Sequence, residues 1–270
     1  MKIWKKNVLI RSMEQWFQFA PPQRGIEQWR NSRSAKELAR AWFPDTVPMP
    51  GDVGVPSELL ETLRTSGEGV QLDAGEPELE SPFDGHGGTV ANLDLCVTGQ
   101  WRSASTVFGI EAKADEEFSK VLSEHYDSKP PPSHVRPRID NLCRAFFGRS
   151  LSDCSDSVRS LRYQLLTGVA GTLAEAKRRE AKQAVFIVHI FHSKLLDPAK
   201  VARNDRDYRN FVTLLGAELG IAIPEDDLTG KVFGPINVRR QTDIIPAMPF
   251  FVGKCGRNID PVLNVLGNRA

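Results

Sequence analysis

The run Ala184-Val185-Phe186-Ile187-Val188-His189-Ile190-Phe191 constrains this chain more than any other stretch. Alternate side chains of a strand point to opposite faces. A run that is apolar on both, rich in β-branched residues and eight residues long, therefore reads as a strand covered on both sides. It calls for a sheet packed between helices, an α/β architecture with a mixed sheet. The helices are legible elsewhere. Apolar periodicity predicts them over 12–19, 34–43, 56–64, 115–126, 139–147, 157–182 and 207–219. Ser34 and Glu37 have the spacing of a capping box. Two β segments, 89–98 and 105–114, are joined by a short connection and predict an antiparallel hairpin. Further strands are expected near 70–72, 231–238 and 244–252, and the Gly-, Asp- and Glu-rich stretch 66–88 otherwise reads as an acidic loop.

At 270 residues, with 40% hydrophobic and 26% charged side chains, one elaborated domain is the expectation. It divides into an N-terminal helical extension over 1–55, a core over 56–191, and a C-terminal helix and strands over 192–270. Cys96, Cys143, Cys154 and Cys255 form no C-x-x-C pair and no zinc spacing with histidine. The start carries Lys2, Lys5 and Lys6 without the apolar core of a signal peptide, and no stretch is long and apolar enough to span a bilayer. A reducing cytoplasm and no membrane partner are expected. The net charge of +1 hides a division. Residues 51–128 hold 16 acidic and 4 basic side chains, whereas 1–50 hold 4 and 9, and 129–183 hold 5 and 11. An acidic middle flanked by basic segments suits a cation site ringed by phosphate-binding surface; uneven mixing of surface charge gives the same counts.

The acidic middle contains one arrangement that bears chemistry. Asn92-Leu93-Asp94-Leu95-Cys96-Val97 precedes Phe108-Gly109-Ile110-Glu111-Ala112-Lys113. On a strand, Glu111 and Lys113 share a face, and Phe108, Ile110 and Ala112 take the other. Asp94 faces opposite to Leu93 and Leu95, so suitable pairing brings Asp94, Glu111 and Lys113 together. Charges at the end of apolar strands are costly without a partner. Asp94, Glu111 and the Ala112 carbonyl suit one hard cation, Mg²⁺ or Mn²⁺, and Lys113 suits a developing negative charge or a water. Glu-Ala-Lys recurs at 175–177 and 180–182, but there it lies in a helix with the look of solvated surface.

This pattern resembles the PD-(D/E)XK nuclease superfamily, which includes restriction enzymes, recombination exonucleases and junction resolvases. The resemblance spans the Pro56 helix through Phe191 and implies a restriction-endonuclease-like core of helix, three-stranded meander, helix and strand. It matches Asp94, Glu111 and Lys113 to the family's acid, acid and lysine. Leu93 stands where the family often has proline. The resemblance implies a Mg²⁺-dependent nuclease acting on DNA or RNA, with a homodimer by analogy to restriction enzymes. It also implies an acid from the first helix, for which Glu58 and Glu61 both qualify. Glu111 to Glu116 and Arg162 to Leu166 are similar to uncharacterised bacterial proteins of this type. Some exonucleases of the superfamily carry Gln and Tyr on the following helix, a loose match to Tyr163 and Gln164. The alternative is a non-catalytic nucleic-acid- or protein-binding module on the same fold.

Other residues have two readings. Asp115 and Glu116 extend the site or favour a helix N-terminus. Asp84 and His86 suit a histidine base beside an acid or simple turn chemistry. His189 and His192 are core or strand-end histidines before they are catalysts. Arg136, Arg138, Arg144, Arg149, Arg159 and Arg162 suit phosphates or ordinary solubility.

Overall fold

The computed structural model describes residues 1–44, 53–86, 91–130, 132–218, 220–238 and 245–260. Part of the expected loop at 66–88, and the ends of the expected elements at Thr89, Val90, Leu219 and Ile244, fall outside them.

The core is an eight-stranded mixed sheet in the order β2-β1-β3-β4-β5-β6-β8-β7. Its centre is a meander, β3 (Gln71–Ser81), β4 (Ala91–Trp101) and β5 (Ala104–Lys113), followed by β6 (Gln183–His192), which runs parallel to β5. The helix α3 (Ser57–Ser66) precedes the meander, and α7 (Tyr163–Arg178) crosses back before β6. β6 is buried from Gln183 to Phe191, as its composition requires. One edge is the hairpin of β1 (Lys2–Lys5) and β2 (Val8–Ile10), and the other is β7 (Lys231–Ile236) beside β8 (Phe250–Asn258).

Each face of the sheet has its own core. Leu165, Leu166, Val169 and Leu173 of α7 meet Val107, Phe186 and Val188, with α5 (Val135–Phe147) and α8 (Pro198–Ala217) completing that layer. Trp16 of α1 (Met13–Phe19), Leu38 and Trp42 of α2 (Ser34–Trp42), and Leu59 and Leu63 of α3 meet Phe108, Ile110 and Ile187 on the other. Small residues set the closest approaches: a side chain at Gly109 would run into Thr172 of α7 at 2.0 Å, and one at Gly168 into Phe186 at 2.4 Å.

Several expected elements change. The stretch expected to be mostly an acidic loop is the eleven-residue strand β3. Its Pro77 is tolerated because β1 pairs only with Ala74 and Gly75, while the Lys5 ammonium donates to the Pro77 and Glu78 carbonyls at 2.9 and 2.8 Å. The N-terminal extension is not purely helical, since it opens with the β1–β2 hairpin. The helix expected over 115–126 is confined to α4 (Leu122–Asp127). Ahead of it, Val121 bridges Arg162 and the Leu122 amide bonds the Leu161 carbonyl, which holds this segment extended. The same pairing divides the helix expected over 157–182 into α6 (Asp156–Arg159) and α7. The Ser34–Glu37 box does not form: Arg33 takes the cap position, and Glu37 instead accepts from the Ser32 amide at 2.8 Å and from Arg40.

Candidate active site

The site forms where β4 and β5 part. Their pairing ends at Leu95↔Ile110. Beyond it, Asp94 Oδ2 accepts from the Ala112 amide at 2.7 Å, so a carboxylate takes the place of a ladder carbonyl. Asp94 opposes Leu95 as expected but not Leu93. Leu93 packs in the α7 layer and Leu95 in the other, so alternation breaks at Asp94. The neighbouring strand is irregular at the same level. Pro77 faces Leu95 and Leu79 faces Leu93, and between them Glu78 has a φ of 47°. That left-handed value is uncommon outside glycine and costs about 1–2 kcal/mol.

Glu111 is 1% exposed. Its Oε1 accepts from Lys113 Nζ at 2.6 Å and from Gln164 Nε2 at 2.7 Å. Its Oε2 is buried with no hydrogen-bond partner among the described residues. Lys113 is also buried and lies 5.3 Å over the Phe118 ring. Glu78 completes the group from β3, with Oε2 accepting from Asn92 Nδ2 at 2.6 Å. The sequence reading missed Glu78 because it falls in the supposed acidic loop.

Negative charge exceeds its compensation here. Burial, and then the nearby Asp94, push Glu111 up to about 8. Burial and Asp94 also push Glu78 up to about 8. Burial raises Asp94 against the pull of Lys113. Burial alone would lower Lys113, but Glu111 and Asp94 outweigh it and raise its affinity for a proton, so it remains an ammonium. Glu116 adds to this field, while its two oxygens accept from the Ala114 and Ser34 amides at 3.0 and 3.1 Å. It and Asp115, which pairs with Arg33 at 3.0 Å, precede no helix directly; they hold the strand end against α2.

The structure does not bring every candidate to this point. Glu61 is exposed. Glu58 lies on the opposite face of the sheet, where His189 Nε2 meets its Oε1 at 2.8 Å and Arg257 bonds it at 2.6 and 2.9 Å. Burial alone would raise Glu58, but these partners outweigh it and hold the carboxyl at about 2. Gln164 reaches Glu111, while Tyr163 turns toward Arg138 and packs 4.6 Å from the His125 ring. Arg138 is buried and bound to Asp84, so it fixes a loop and is no exposed phosphate contact. The Asp84 carboxylate also accepts from the His86 amide, which is turn chemistry. Arg162 bonds Asp207 at 2.8 Å and the Ser119 carbonyl. Arg136 bonds the Tyr126 carbonyl, Arg144 bonds Asn141, Arg149 lies 3.7 Å from Glu218, and Arg159 bonds the Leu151 carbonyl. These arginines thus already have protein partners. Burial lowers the His192 pKa.

Among the described residues, no group of three or more acidic, histidine or cysteine side chains is arranged to hold a metal ion, and no helix is long and apolar enough to cross a membrane. All four cysteines are free thiols. The sequence model of a family described as a domain of unknown function, DUF6946, matches residues 9–258. No curated protein and no solved structure matches the chain.

Proposed function

The chain belongs to the DUF6946 family, a domain of unknown function; from the site's residues we propose that it is a metal-dependent nuclease that hydrolyses phosphodiester bonds, with DNA as substrate and bacterial defence or repair as its setting. The observation that carries this reading is Glu111, a fully buried carboxylate with one oxygen held by two donors and the other without a partner among the described residues, beside Asp94 and electrostatically linked to Glu78. The order of α3, the β3–β4–β5 meander, α7 and β6 supports it, because the resemblance to PD-(D/E)XK nucleases implies that order.

The residues fit a hard cation. Mg²⁺ commonly takes only one or two carboxylates and retains waters, so Asp94, Glu111 and the Ala112 carbonyl suffice without a third acid. A bound ion of this kind supplies polarisation of the scissile phosphate and acidification of a water. The chain's own groups do the rest. Gln164 Nε2 and Lys113 Nζ fix Glu111 by its Oε1, leaving Oε2 for a ligand. The Ala112 amide fixes Asp94. Lys113, kept cationic by its acidic neighbours, offsets charge building on the phosphate, and its raised proton affinity argues against a role as the base.

Cleavage of labelled DNA and RNA with Mg²⁺, Mn²⁺ or chelator tests the reading. It predicts cation-dependent cleavage that falls about 10²-fold or more in Asp94→Ala, Glu111→Ala and Lys113→Ala. Cleavage without a divalent ion, or indifferent to all three changes, overturns it. A second reading, a non-catalytic module on the same fold, draws on the buried 2.6 Å Lys113–Glu111 ion pair. Under it, Lys113→Ala lowers thermal stability and no divalent ion binds.

A further inference from the structure

Of the acidic group, Glu78 lines a cleft of about 400 Å³ between β3 and the N-terminal layer, whose charged lining is Lys5, Lys6, Glu76, Glu78 and Glu80, with Lys5 paired to Glu76 at 3.7 Å and Lys6 left as its cation without an ion pair among the described residues. Glu78 and Asn92, hydrogen-bonded to each other at 2.6 Å, line it on the β3–β4 side, and Glu78 lies within the field of Asp94. The outer wall carries Lys6 and Phe19, both exposed, Phe19 at 38%.

The N-terminal layer combines two properties. Of the five large hydrophobic side chains exposed among the described residues, Trp4, Val8, Phe19 and Ile26 belong to it. Residues 1–33 hold seven basic and two acidic side chains. Lys2, Lys6, Arg11, Arg24 and Arg30 are exposed, with no ion pair among the described residues. Lys6 is also held in place. It and Asn7 form the two-residue turn between Lys5 and Val8, at φ 45° and 66°, a tight geometry that fixes where the side chain starts.

Cations that follow a backbone, together with aromatic faces for bases, are the features with which proteins hold unpaired nucleic acid. A base already stacked in a duplex offers no free face to Phe19. We propose that this cleft receives the unpaired strand of a nucleic acid substrate, with a base on Phe19 and its phosphate at Lys6, and leads it past Glu78 and Asn92 to Asp94 and Glu111. The proposal rests on the nuclease reading for its direction, and on the N-terminal layer for its contacts.

The test is binding of a fluorescein-labelled oligothymidylate, and of a duplex of equal length, to the full chain in chelator, read by anisotropy across a salt series. Wild type binds the unpaired strand more tightly than the duplex. Phe19→Ala weakens that binding roughly 5-fold or more, the range of one lost base–aromatic stack. Lys6→Ala makes the salt slope shallower by about 0.7, one phosphate contact on a single strand. Both side chains are exposed, and an unchanged melting temperature confirms that the variants fold. Binding that is absent in wild type, or unmoved by both changes, overturns the proposal. The two readings separate cleanly. Cleavage with unmoved binding removes the strand route and leaves the nuclease, whereas lost binding in Phe19→Ala without any cleavage does the reverse.

Discussion

Two acids packed against opposite faces of the same sheet, Glu58 half-buried and Glu111 buried, meet opposite fates. Glu58 reaches from the first turn of α3 to His189 and Arg257, and both of its oxygens are bonded. Its carboxyl is held down at about 2. Glu111 lies under α7 with one ammonium, one amide and two acids around it, and one oxygen is bare. Its carboxyl is pushed up to about 8. The first arrangement is closed and holds α3 to β6 and β8. The second is short of positive charge and is the kind of environment that function accounts for better than stability. Ionisability alone does not separate the two; depth of burial and the count of compensating donors do.

Changes on the two faces should therefore act on different quantities. The largest effect is expected from Glu111→Gln, which lowers divalent-dependent cleavage about 10²-fold or more while leaving the circular dichroism of the fold unchanged. Next comes Arg257→Ala, which strips Glu58 of its bidentate partner. Breaking a fully buried pair costs about 3–5 kcal/mol, and the partial exposure of this one reduces that to about 1–2 kcal/mol. Each kcal/mol lowers the melting temperature by about 2–4 °C in a protein of this size, and cleavage by the surviving enzyme stays within a few-fold. Equal losses of stability from both variants would erase the distinction between the faces.

The pH dependence sharpens it further. Glu78 and Glu111 ionise at about 8 when folded, against 4.5 for the free group. Between those values the folded chain holds protons that the unfolded chain has released, so in chelator their contribution is full below about 4.5 and lost as pH rises toward 8. Glu58 has the opposite sign. Its contribution is full above 4.5 and lost as pH falls toward 2. Melting curves in chelator should show both limbs. Glu111→Gln flattens the alkaline limb and Arg257→Ala the acidic one. The smallest expected effect is a rise of a degree or two in the melting temperature of Glu78→Gln at pH 8, because one repelling carboxyl is gone while an acceptor for Asn92 remains.

What could be read from the sequence follows from which signals are local. The run through Val185 and Phe191 demanded a doubly covered strand, and β6 is one. The alternation around Ile110 placed Glu111 and Lys113 on one face, and the Gly99–Ser103 connection announced the hairpin that sets Asp94 beside them. β3 was opaque because Gly75 and Pro77 are weak strand formers and its acids mask the period; the strand is sustained by β4 and by Lys5. Glu78 was hidden with it. The pairing of Val121 with Arg162 is tertiary, so neither the shortening of α4 nor the break between α6 and α7 left a trace in local periodicity. That neither Glu58 nor Glu61 joins the site was equally hidden, since Glu58 is drawn to the opposite face by a distant residue, Arg257.

The most direct test of the central claim is a calorimetric titration of Mn²⁺ into the wild-type chain and into Glu111→Gln, with the oligothymidylate present in both. The account predicts a saturable heat in the wild type that is lost in the variant. Identical curves for the two proteins, with or without heat, would contradict the assignment of Glu111 as a metal ligand and leave the buried acids of the α7 face as a feature of the fold alone.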